Sequence, residues 1–207
     1  MIMNWRQIIR IVLLWCGGMV SPALANEPPH RSQQYRNDLI RASRVIWGLN
    51  APVADFAAQL HQESDWKSRA ISPVGAQGMA QFMPTTADWI SQRIPELSNK
   101  DPFNPVWSIR AMVHYDHWLW QRIKAADKCQ RMAMVLSAYN GGLGWLLRDK
   151  KKTEAVGLNP WIWFGHVEFQ NAGRRTSAWK ENRYYPRRIL LALAPRYLAW
   201  GGASCAN

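Results

Sequence analysis

Apolar residues in this chain recur three and four positions apart, and no stretch alternates them in twos for any length. That periodicity belongs to helices and excludes a sheet as the organising element. Val53, Phe56, Ala57 and Leu60 follow it behind Asn50-Ala51-Pro52, where Asn50 is an N-cap candidate with Pro52 in the first turn. This helix is expected to run to about Gln62, after a first one over 35–49. Further helices are expected from Pro84 through Ile90, from Asn104-Pro105 through Val106, Ile109, Val113, Trp118 and Leu119, and from Asp127 to Tyr139. Gly141-Gly142 closes that last one, a short helix follows over 143–152, and a final one runs from about Asn182 to Trp200, interrupted near Pro195. The turn-rich run PELSNKDPFNP reads as a loop, residues 157–178 give no readable pattern, and no repeat or low-complexity tract is present. The fold class is all-α.

The N-terminus has a different character. Arg6 and Arg10 precede the apolar run IVLLWCGGMV, and Ala23-Leu24-Ala25 offers small residues where a signal peptidase reads. Residues 1–25 are read as a signal peptide, the apolar run being short for a membrane span. Trp15 before Cys16 fits a lipobox poorly. Residues 26–34 read as a loose leader, and 35–207 as one domain. Removing residues 1–25, with two arginines and no acid, leaves 182 residues and takes the net charge from +12 to +10. Such an excess implies an anionic partner. Export directs that away from nucleic acid and towards a cell-envelope polymer, with the periplasm as the expected location. Cys129 and Cys205 remain, an even count for an oxidising compartment. They could bridge the C-terminal tail to the body or stay as two unrelated thiols.

Chemistry concentrates in HQESDWKSRAISPVGAQGMAQFMPTT, residues 61–86. Glu63 falls at a helix end, ahead of a loop stiffened by Pro73, Gly75 and Gly78 that returns Gln81 and Met83 towards the same region. A solvated carboxylate is the ordinary reading of any glutamate. A glutamate held against apolar neighbours is instead a general acid, because desolvation keeps it protonated. Asp65, the nearest acid, lies past the helix end and is expected to point elsewhere. His114 and His117 have a spacing that can hold a metal, but no third ligand accompanies them, so none is expected. Of Trp118, Trp120, Trp161, Trp163 and Trp179, one or two are expected in a cleft and the rest in the core. Lys150-Lys151-Lys152 reads as a solvated face.

Four blocks in order carry a resemblance. Glu63-Ser64 with Ser72-Pro73-Val74-Gly75-Ala76-Gln77-Gly78-Met79-Ala80-Gln81-Phe82-Met83-Pro84-Thr85-Thr86-Ala87 is similar to the E-S…G-A-x-G-L-M-Q-x-M-P-x-T pattern of the soluble lytic transglycosylase family. Asp101-Pro102-Phe103-Asn104-Pro105 resembles its D-P-x-x-N segment and Ala138-Tyr139-Asn140-Gly141-Gly142 its A-Y-N-A-G. Glu181 with Tyr185 resembles its E-T-x-x-Y. The similarity spans roughly residues 45–195. It implies a lysozyme-like helical domain with a cleft for peptidoglycan glycan strands, acting as a monomer without a cofactor. Glu63 would be the single catalytic acid/base. Gln81 and Met83 would line the cleft, and Ser72 would lie close to the sugar at the reacting bond. Tyr139 and Asn140 would stand on the opposite wall, with Glu181 and Tyr185 in support. The departures are Met79 for Leu, Ala80 for Met, Gly141 for a frequent Ala, and Asn182 for the usual Thr.

The absence of an obvious second carboxylate matches that chemistry. Two-carboxylate glycosidases need a partner for the acid, whereas a lytic transglycosylase uses the C6 hydroxyl of its own N-acetylmuramic acid. The alternatives are a hydrolytic muramidase on the same scaffold, or a non-catalytic peptidoglycan-binding component of an envelope-spanning apparatus. A small exported enzyme of this kind would suit a secretion or conjugation apparatus, by analogy alone.

Overall fold

The computed structural model describes residues 27–205, so the signal-peptide reading of residues 1–25 lies outside the described residues. Seven α-helices are formed, with no strand among the described residues: α1 Arg36–Trp47, α2 Val53–Ser64, α3 Pro84–Ser91, α4 Pro105–Arg122, α5 Lys128–Gly141, α6 Leu143–Ala155 and α7 Thr176–Arg187. From α7 the chain continues as a π-helical stretch, Arg188–Leu193, and a 3-10 turn, Ala194–Trp200. Pro186 lies inside α7 and has no N–H to give to the helical ladder, just ahead of this widened register.

Local chemistry explains most boundaries. Asn104 caps α4 by accepting from Val106 N at 2.9 Å and Trp107 N at 3.2 Å, and Asp127 caps α5 by accepting from Gln130 N at 2.8 Å. Gly48 (φ 83) and Gly142 (φ 93) stop α1 and α5. Asn50 does not cap α2. The helix opens at Val53, and the Pro52 carbonyl takes the first N–H groups, from Asp55 at 3.0 Å and Phe56 at 3.3 Å. The last helix begins at Thr176 rather than Asn182, and α6 outruns its expected end at 152.

The leader is also tighter than its polar composition suggests. His30–Tyr35 is a 3-10 turn with Ser32 fully buried. Tyr35 stacks on Trp66 with ring planes 5° apart, and Arg31 pairs with Asp65 at 3.2 Å. Those contacts are tertiary, and a local pattern does not carry them.

Helix α2 is the spine. Ala54, Phe56, Ala57, Ala58 and Leu60 are wholly buried, and one side packs on the C-terminal segment, where Gly201 brings its backbone against Val53. Residues Met132 to Leu136 of α5 are inaccessible throughout, so that helix is core on every side. A Cys129–Cys205 disulfide ties the start of α5 to the C-terminus. The unassigned stretch before α7 is held by charge: buried Asp149 pairs with Arg183 at 2.6 Å and with Arg174, and Arg187 grips Glu168 at 2.7 Å. The lysine run is less free than expected. Lys150 donates to the Lys124 carbonyl at 2.6 Å and Lys152 to that of Asn171 at 2.9 Å.

Candidate active site

Asp65 (φ 51) and Trp66 (φ 63) are both left-handed, a rare conformation for residues with side chains, and they break α2 directly after Glu63-Ser64. Glu63 therefore sits in the helix's last turn, at the negative end of its dipole, where a charged carboxylate is disfavoured. Tyr185 of α7 donates its hydroxyl to Glu63 Oε1. Burial pushes the Glu63 acid up to about 8. The Tyr185 hydrogen bond opposes this rise, and the charge of Glu181 adds to it. At neutral pH the residue is a protonated acid.

The same face of α2 continues inward as a polar stripe, four residues per step: Glu63, Gln59, Asp55. Gln59 and Asp55 are buried, as is Asp116 of α4, and neither carboxyl oxygen of Asp116 has a hydrogen-bond partner. Burial, with the nearby charge of Glu63, holds the Asp116 carboxyl well above its ordinary range. The floor beneath Glu63 thus carries acid groups without cations.

Three hydroxyls fix the wall loop that follows. Ser64 Oγ donates to the Met79 carbonyl at 2.8 Å, Ser108 Oγ accepts from Ala80 N at 3.1 Å, and the Tyr139 hydroxyl donates to the Ala80 carbonyl at 2.7 Å. Gly78 (φ +75) passes so close to Pro102 that a Cβ there would lie 1.7 Å from its carbonyl oxygen. Two of the sequence blocks meet at that contact. Gln81 is itself left-handed (φ 49), and its amide turns back to donate to the Gly78 carbonyl at 2.8 Å. Ser72 Oγ likewise accepts from Ala76 N at 3.0 Å, closing the turn at the loop's start.

A cavity of about 280 Å³ lies against this wall. Glu63, Ser72, Gln81, Met83, Tyr139, Asn140 and Glu181 all line it. Tyr185 does not; it is buried behind Glu63 and reaches the site through that carboxyl. Asp65 is absent from the lining. Thr86, the last residue of the M-P-x-T match, also lines the cavity, as does Tyr115, which belongs to none of the four blocks. Tyr115 sits on an amphipathic helix at a spacing that reads as core. Among the described residues no tryptophan lines this cavity; Trp89 with Trp118, and Trp145, line two flanking cavities instead. Of the histidine pair, His114 Nε2 meets Glu96 Oε1 at 2.6 Å, and His117 packs edge-on against Trp47. Among the described residues no group of three potential ligands gathers.

The sequence matches the family model described as a transglycosylase SLT domain over residues 47–162. The chain belongs to the transglycosylase SLT domain family. Among curated relatives, a membrane-bound lytic murein transglycosylase F from Haemophilus influenzae (strain PittGG) is 32% identical over 131 residues, covering 63% of this chain and 24% of the relative. One of the same name from Pasteurella multocida (strain Pm70) is 30% identical over 154 residues, covering 74% and 26%. The chain thus spans about a quarter of the length of the curated relatives it matches. The fold is that of the 70 kDa soluble lytic transglycosylase SLT70 from Escherichia coli, with a TM-score of 0.58 at 22% identity over 84% of this chain and 26% of that one. A complex of the 70 kDa soluble lytic transglycosylase with bulgecin A gives 0.55 at 24% identity, over 86% and 27%.

The departures at 141 and 182 meet in space. Asn182 is buried and donates to the Ser137 carbonyl at 2.8 Å and to Asn140 Oδ1 at 2.9 Å, tying α7 to α5 and orienting a cavity residue. A Cβ at Gly141 would lie 2.7 Å from Asn182 Nδ2 and 2.9 Å from Arg174 Nη1. The longer amide needs the missing methyl.

Proposed function

We propose that this protein is an exported peptidoglycan lytic transglycosylase that cleaves the β-1,4 bond between N-acetylmuramic acid and N-acetylglucosamine, with Glu63 as its acid/base. The observation that carries the reading is the setting of Glu63: a carboxyl held from behind by the Tyr185 hydroxyl and opening onto a cavity on its other side, with burial pushing the acid up to about 8. Because Oε1 accepts from Tyr185, Oε2 is the oxygen that holds the proton for substrate. In the first half of the reaction the C1–O4 bond breaks and the departing O4 takes that proton. In the second, the C6 hydroxyl of the same sugar bonds to C1 and gives its proton to the Glu63 carboxylate, yielding a 1,6-anhydro end. The acid is regenerated and no water is consumed. Between the halves Glu63 is charged, and the Tyr185 hydroxyl is the donor that stabilises that charge.

Glu181 supports a second reading. It lines the same cavity as an exposed carboxylate, and a second carboxylate could activate water for hydrolysis. The product end separates the two. Glu63→Gln is expected to bind purified sacculi yet release no anhydro-muropeptides by mass spectrometry; retained release would overturn the role of Glu63.

The basic N-terminal run with its Ala-Leu-Ala site supports export, and the excess positive charge suits an anionic wall polymer. The periplasm is the compartment this reading assigns, and no helix among the described residues is long and apolar enough to cross a membrane. The enzyme acts as a monomer on glycan strands. Service to a secretion or conjugation apparatus is the biological role we assign by analogy, and co-purification after crosslinking in cells tests it.

A further inference from the structure

Gln59 stands one turn before Glu63 on α2, and Asp116 of α4 faces the Gln59 amide from across the core. Both side chains are wholly buried. Neither the amide of the one nor the carboxyl of the other has a hydrogen-bond partner among the described residues. The other polar groups around Glu63 are committed. The Tyr185 hydroxyl donates to Glu63, the Tyr139 hydroxyl donates to the Ala80 carbonyl, and Asp55, one turn further in, accepts from Ser204 N at 2.9 Å. Glu181 and Tyr115 line the cavity above.

Such a pair opposes folding. A buried polar group without a partner destabilises the native state, and an apolar side chain of similar shape would not. Burial, and after it the charge of Glu63, also keep Asp116 protonated. A neutral acid beside an amide is a pair of dipoles, each with a donor and an acceptor to offer. The group next to them that changes charge during the proposed reaction is Glu63. Dipoles that are idle while Glu63 is a neutral acid, and turn their donors to it once it is a carboxylate, stabilise the charged state alone.

We propose that Gln59 and Asp116 are positioning residues for the reaction, a neutral dipolar floor that supports the Glu63 carboxylate between the two half-reactions. The Asp116 hydroxyl donates to the Gln59 carbonyl oxygen, and the Gln59 NH2 group donates to the carboxylate. The proposal rests on the acid/base reading of Glu63.

Asp116→Leu and Gln59→Leu remove the dipoles and keep similar volumes, which separates this role from a structural one. Thermal melts at neutral pH are expected to show both variants at least as stable as wild type. With purified sacculi, each is expected to release soluble muropeptides with kcat lowered ~10-fold and KM unchanged, as for one lost donor to a charged group. The alkaline limb of kcat/KM is expected to move to higher pH, because the carboxylate has lost support. Asp116→Asn, still neutral and still a donor, is expected to keep the wild-type rate and limb. Leucine variants with the wild-type rate and an unmoved limb overturn the proposal. Lower melting temperatures in both overturn it too, since the pair would then hold the fold. A limb moving to lower pH in Asp116→Leu and Asp116→Asn alike overturns it as well, since Asp116 would then be a charged neighbour of Glu63. Glu63→Gln separates the floor from the reading beneath it. Release retained in that variant overturns the role of Glu63 and the floor with it, whereas release lost there beside unaffected leucine variants overturns the floor alone.

Discussion

Tyr185 and Glu181 act on the Glu63 proton from opposite directions: the tyrosine hydroxyl donates to Oε1 and favours the charged carboxylate, while the Glu181 charge favours the neutral acid. Both sit on α7, one turn apart. The alkaline limb of kcat/KM reports the free-enzyme acid, so the two residues are separable by pH profile. Wild type is expected to lose rate as pH rises through about 8. Glu181→Gln is expected to move that limb to lower pH. Tyr185→Phe is expected to move it higher and also to depress the plateau, because the carboxylate between the half-reactions loses its donor. Limbs moving together in one direction would refute the arrangement.

The same burial makes the acid a liability for the fold. Glu63 has an ordinary value of 4.5 and a folded value of about 8. The folded state thus binds more protons than the unfolded state between those values, and stability falls as pH rises through that window. Glu63→Gln removes the slope. Thermal melts are expected to show the variant gaining on wild type from about pH 5 upwards, with the gap levelling above about pH 8.

Gly78 is the tightest point of the wall. Alanine there would carry an unfavourable positive φ and a Cβ 1.7 Å from the Pro102 oxygen, so the loop must shift. A loss of ~1–3 kcal/mol in stability is expected from chemical denaturation. A displacement near 1 Å of the wall that carries Gln81 is expected to lower turnover by ~10².

Position 141 offers a coupled test. Gly141→Ala is expected to destabilise by ~1–3 kcal/mol through overpacking against Asn182 and Arg174, and Asn182→Thr by a similar amount through lost buried hydrogen bonds. The double variant restores the pair usual in the family. Its cost is expected to be less than the sum by ~1 kcal/mol or more, measured as a double-mutant cycle. Strict additivity would contradict the compensation.

Much of this was readable from side chains with local jobs. Asn104 and Asp127 announce their helices because an N-cap acts within three residues, and Glu63 stands out because a stiff loop follows it. What escaped the sequence acts over distance. Asn50 has the chemistry of a cap, yet α2 begins beyond it because Pro52 already supplies the first acceptor. Ser32 is buried, and Tyr35 stacks on Trp66, a residue far along the chain. Tyr115 lines the cavity but reads as one more apolar position on α4, since helical spacing does not say which neighbour a face will meet. Asn182 departs from the family's usual Thr and is a residue that clamps α7 to α5.

The central claim is that Glu63 drives transglycosylation with the substrate's own hydroxyl as nucleophile. Mass analysis of soluble products from purified sacculi digested by the wild-type protein tests it most directly. The account predicts muropeptides ending in 1,6-anhydro-N-acetylmuramic acid, each lighter by one water than its hydrolytic counterpart. Products with free reducing ends would contradict it and place Glu181 in the role of base.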